Sequence, residues 1–75
     1  MEIKFKKEPH FTQCYGVYLK DRLVGVVQKD NDRSTTNPTG GMWVCEGLGR
    51  DGSFPKAGKT RKEAAENFIN FYHIK

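Results

Sequence analysis

No stretch of this 75-residue chain is apolar for more than a few residues, and it holds only two cysteines, two histidines and three prolines. Each shortage excludes something. A membrane-spanning helix needs roughly 20 consecutive apolar residues, and no charged-then-apolar leader opens the chain, so a soluble, cytoplasmic protein without membrane attachment is expected. Cys14 and Cys45 make neither a four-ligand zinc site nor a disulfide framework, and free buried thiols are expected. His10 and His73, with Glu8, are the only pieces for acid–base work. No motif sets a second carboxylate beside them, so the chain reads as a non-enzyme. Gly47-Leu48-Gly49 lacks the third glycine and the strand context of a dinucleotide loop and reads as a turn; no cofactor is expected.

What is present is basic charge and aromatic bulk. Thirteen lysines and arginines against nine acids leave a net charge of +4, which suits acidic partners such as nucleic acid and also serves solubility. A chain this short buries only about 60% of the surface it exposes when unfolded. Its five phenylalanines, three tyrosines and one tryptophan must therefore supply much of the core, which leaves little for a roomy cleft.

The apolar pattern outlines one domain over residues 1–75, without repeats. Residues 2–7 alternate, with Ile3 and Phe5 on one side and Lys4 and Lys6 on the other, as in a half-buried strand. Pro9 ends it, and residues 9–13 read as a loop. Residues 14–19 and 23–28 are β-branched and aromatic, and the polar Lys20-Asp21-Arg22 between them makes a hairpin. Tyr15, Val17 and Leu19 share one face, opposed by either Val24 and Val26 or Leu23 and Val27. Gly16 and Gly25 signal a bulge or a close approach. Residues 29–41 are polar, with Pro38 and two glycines, and read as a long exposed loop. Residues 42–46 form the next strand, and residues 47–58 a turn-rich loop with Phe54 folded back over the core.

The helix follows. Thr60 and Glu63 have capping-box spacing, and Ala64, Ala65, Phe68, Ile69 and Tyr72 make one apolar stripe, with Lys62, Glu66, Asn70 and His73 facing water. The expected fold is α+β: an antiparallel three- to four-stranded sheet with the C-terminal helix on one face, in the order β-β-β-β-α.

Functional signal concentrates at the helix start. Lys56, Lys59, Arg61 and Lys62 occur there without an acid among them, and the last three sit where the helix dipole disfavours cations by roughly 0.3 to 1 kcal/mol each. Phosphates would offset that cost, since the first helical N–H groups lack intrahelical partners and favour anions. Arg50 would extend the basic rim. Lys4, Lys6 and Lys7 form a second basic run that reads as a solvated edge discouraging sheet-to-sheet pairing.

Gly58, Lys59, Thr60, Arg61, Lys62, Glu63, Ala64 and Ala65 resemble the second helix start of double-stranded-RNA-binding domains. That resemblance implies phosphate contacts by Lys59, Arg61 and Lys62 across the major groove. The chain departs from that family in having no leading helix. Its strand order is similar instead to the three-stranded DNA-binding domains of phage integrase N-termini and plant ethylene-response factors. This implies DNA contacts from the outer sheet face, through Tyr18, Lys20 and Arg22. The same helix start is similar to small phage and prophage proteins.

The expected function is thus a non-catalytic nucleic-acid-binding accessory protein of phage type, a monomer or small homo-oligomer, acting on DNA or duplex RNA. The alternative is a protein-interaction module working through an exposed sheet face or edge. An outer face that is basic favours the first; an apolar patch around Tyr18, Met42 or Val44 favours the second.

Overall fold

Strand β1 (Ile3–Lys7) sends Ile3 and Phe5 inward, as its alternation requires, and pairs antiparallel with β2 (Cys14–Leu19). Strand β3 (Arg22–Lys29) returns along β2, followed by β4 (Trp43–Glu46), β5 (Lys56–Gly58) and helix α1 (Arg61–Phe71). The computed structural model describes residues 2–9, 13–31, 34–36, 38, 40–48 and 54–74. The five strands lie in chain order in one antiparallel sheet, and α1 packs on one face of it. The α+β expectation holds, with one strand more than expected.

That extra strand, β5, falls in a segment expected to be loop. Only three residues long, it has no readable periodicity, and backbone pairing with β4 makes it a strand: Trp43 with Gly58, Val44 with Ala57, Cys45 with Lys56. Phe54, just before it, is a correction. It is 73% exposed and covers no core; the backbone N–H of Phe54 donates to the Tyr72 hydroxyl, which donates in turn to the Phe54 carbonyl.

The β2–β3 hairpin turns through Lys20 and Asp21, both at positive φ (53° and 64°), the two-residue geometry that matches strand twist. Strand β3 therefore begins at Arg22, one residue before the expected start. Neither expected register describes the whole hairpin. Val27 opposes Tyr15 and Gly25 opposes Val17, but a bulge then skips Val24 so that Leu23 opposes Tyr18. One extra residue reverses the alternation, which turns Leu23 outward and leaves Val24 packed against the core. At Gly25 a Cβ would lie 2.6 Å from the Glu46 carbonyl oxygen, so only glycine lets β4 approach there.

The 29–41 connection is anchored at its base. The Asp30 N–H donates to the Met42 carbonyl, and the Gly41 N–H to that of Asp30.

The core is the layer between sheet and helix: Val17, Leu19, Val27, Cys45, Ala64, Ala65, Phe68 and Ile69. Both helix ends are finished locally. Thr60, in extended conformation, accepts from the Glu63 N–H at 3.1 Å, and the Glu63 carboxylate accepts from the Lys59 N–H at 3.4 Å. At the other end the Ile74 N–H reaches the Ile69 carbonyl and the His73 N–H that of Asn70, a Schellman arrangement with His73 in the left-handed region. Ile74 packs against the core beyond it.

Candidate nucleic-acid interface

The capping bonds fix where the basic residues point. Lys59, Arg61 and Lys62 are all exposed at the start of α1. Among the described residues no salt bridge reaches any of the three, whereas Lys4 bridges Glu2 and Asp21. Glu63, the one acid of the first turn, is engaged by the Lys59 N–H.

Arg61 does more than project. Its side chain reaches back to the sheet, with the guanidinium carbon 4.4 Å from the Tyr15 ring centroid and 5.5 Å from that of Phe5. Tyr15 belongs to a row of aromatic side chains on the helix side of the sheet. Phe5 lies 6.5 Å from it in edge-to-face geometry, and Trp43 lies 6.0 Å away on the other side. Lys29, paired with Trp43 across β3 and β4, holds its ammonium 5.7 Å from the tryptophan ring. The three rings are half-buried, so each keeps part of its surface in water. Each cation–π contact at such a position contributes on the order of 0.5 to 1 kcal/mol.

The four expected helix-start cations are not one cluster. The Lys56 ammonium sits 3.6 Å from the Phe71 centroid. Phe71 is ten helical residues beyond Arg61, roughly 15 Å along the axis. Lys20 lies in the β2–β3 turn and Arg22 just after it, about 16 Å along β2 from Tyr15 in the case of Lys20. Arg22 pairs with the core-facing Leu19, on the side away from Tyr18, so those two do not share a face. Arg50 and His10 lie outside the described residues, and His73 is exposed at the helix end.

Phe5, Tyr15, Lys29 and Trp43 were not among the expected site residues. The aromatics read as core, and the Lys29–Trp43 pairing depends on a register set across a long loop. The only local signal was at Phe5, which lies between Lys4 and Lys6.

Among the described residues no helix covers the outer sheet face. A groove of about 360 Å³ runs over it between Lys6, Cys14, Tyr18, Leu23 and Val26. A second, of about 540 Å³, lies between Gln28, Val44, Glu46 and Ala57. Among the described residues the middle of that face is apolar, with Lys6 and Lys7 at the edge of the first groove and Lys29 at the edge of the second.

Cys14 faces that outer groove and Cys45 the core, so the two thiols point to opposite sides of the sheet and are free. Burial pushes the Cys45 thiol up to about 12, with the Glu46 carboxylate adding to it. Cys14 is raised by burial and then by Glu8 and Glu46. Neither is a poised nucleophile. Among the described residues no group of histidine, cysteine and acid side chains could hold a metal ion, and no helix is long and apolar enough to cross a membrane.

No family model, no curated protein and no solved structure matches the chain.

Proposed function

We propose that the protein is a non-catalytic nucleic-acid-binding accessory protein whose helix start contacts phosphates. The observation that supports this reading is the joint exposure of Lys59, just before the Thr60 cap, and of Arg61 and Lys62 in the first turn of α1, with no salt bridge to any of them among the described residues. Cations placed at the positive end of a helix dipole repel it, and a phosphate between them relieves that repulsion while accepting from the first backbone N–H groups. Such contacts position a strand without reading its sequence.

A salt titration of binding to short random DNA and RNA, duplex and single-stranded, tests the reading. The native chain is compared with a Lys59→Ala, Lys62→Ala variant, which leaves Arg61 and its ring contacts in place. The variant should lose about 1.4 to 1.8 units from the slope of log affinity against log salt, at roughly 0.7 to 0.9 per phosphate contact. Equal slopes would remove the helix start from the interface.

A second reading is supported by the apolar middle of the outer face. Tyr18, Val26, Val44 and Ala57 are half-buried, Leu23 is 39% exposed, and among the described residues no second layer covers them. On this reading the protein is an interaction module, including a small homodimer joined through that face. Sedimentation over a range of concentrations tests the dimer form. Self-association abolished by Leu23→Lys supports it, and a native chain that stays monomeric at high concentration sinks it.

A further inference from the structure

The row of rings beside the helix start has a composition that phosphate binding alone does not require. We propose that the ligand of this surface is a single strand of nucleic acid, whose bases stack on a platform formed by Arg61, Tyr15 and Trp43. This rests on the phosphate-binding reading above and names its substrate class.

Three observations converge on it. Phe5, Tyr15 and Trp43 follow one another at 6.5 and 6.0 Å, a row of π-surfaces where successive unstacked bases can lie. Arg61 and Lys29 stand over two of those rings, so cations and aromatics alternate along the row. Lys62 follows Arg61 in the first turn and Lys59 lies just before the Thr60 cap, both exposed, which puts phosphate-binding charge at the helix start that carries Arg61. Positive charge tracking a backbone next to rings that accept bases of any sequence is what single-strand binding needs.

Arg61 is the centre of the platform. The Arg61 guanidinium carbon lies 4.4 Å from the Tyr15 centroid and the residue is exposed, and a planar guanidinium so placed offers a base a surface to stack on. A duplex offers this surface its phosphates only, because its base faces are stacked internally. The platform therefore separates single strands from duplexes, and the lysines do not.

Trp43 is the only tryptophan, so its fluorescence reports on this row and on nothing else. The experiment titrates the full chain at low salt with single-stranded DNA, single-stranded RNA, duplex DNA, and a strand of equal length lacking bases. Either single strand should quench Trp43 emission and bind more tightly than the duplex or the baseless strand. Arg61→Lys keeps the charge but loses the plane. It should weaken single-strand binding roughly 5- to 100-fold, the worth of about one stacked base, with an unchanged salt slope and unchanged helical circular dichroism.

If single strand, duplex and baseless strand bind alike without quenching, the platform is overturned while the phosphate reading stands. The platform is overturned as well if Arg61→Lys binds like the native chain, because Arg61 then merely pins the helix to the sheet. If nothing binds at low salt, both readings fall.

Discussion

A Cβ placed on Gly58 would lie 2.4 Å from the backbone nitrogen of Ala64 and 2.8 Å from the carbonyl carbon of Glu63. The last residue of β5 and the first turn of α1 are thus in backbone contact, with no space for a side chain between them. That contact sets how closely the helix start, and the cations it carries, approach the sheet.

Gly58→Ala should therefore destabilise the fold. The atoms in the way are backbone, which cannot rotate aside, so the helix start must lift from β5. Overpacking of this kind costs about 1 to 3 kcal/mol, a large share of the stability of so small a domain. Urea unfolding should show a lower midpoint. If Arg61 is carried away from Tyr15 as the helix lifts, Trp43 emission in the folded variant should change as well.

His73 occupies the left-handed region at φ 53°, where the helix ends and Ile74 turns back onto the core. A residue with a Cβ is strained there, and glycine is not. His73→Gly should stabilise the protein by a few tenths to about 1 kcal/mol, the relief of strain being partly offset by the freer unfolded chain. Thermal unfolding checks this, and a lower melting temperature would show that the His73 side chain contributes more than its backbone costs.

The Cys45 thiol, raised by burial to about 12 from an ordinary 9.0, gives stability an alkaline limit. Below pH 9 both folded and unfolded chains keep the proton, and this residue adds no pH dependence. Between pH 9 and about 12 the unfolded chain releases it and the folded chain does not. Stability then falls as pH rises, by at most about 1.4 kcal/mol per pH unit from this group. Urea midpoints measured from pH 8 to pH 11 should decline, and Cys45→Ala should flatten that decline; an equally steep fall in the variant would assign it to other groups. In the native state Cys45 should also resist alkylation.

What was legible in the sequence is what neighbouring residues decide. The capping spacing of Thr60 and Glu63, the stripe from Ala64 to Ile69 and the alternation of Ile3 and Phe5 each report local geometry, and each is found in place. The β2–β3 hairpin was readable for the same reason. Its register was not, because the unpaired Val24 reverses the alternation within the strand. Strand β5 was hidden because three residues carry no period, and Phe54 was misplaced because bulk in a loop says nothing about which way the loop turns.

By itself, then, the sequence determined a small basic α+β fold with a capped, amphipathic C-terminal helix, since periodicity and capping act over a few residues. The tertiary structure alone decided which cations stand together. Lys29 meets Trp43 and Arg61 meets Tyr15 only because sheet register and helix docking bring distant segments into contact. Lys56, close to Lys59 in the chain, is drawn to Phe71 instead. Extended β5 leads into a helix that folds back beside it, and so a run of charges close in sequence is divided between the two ends of that helix.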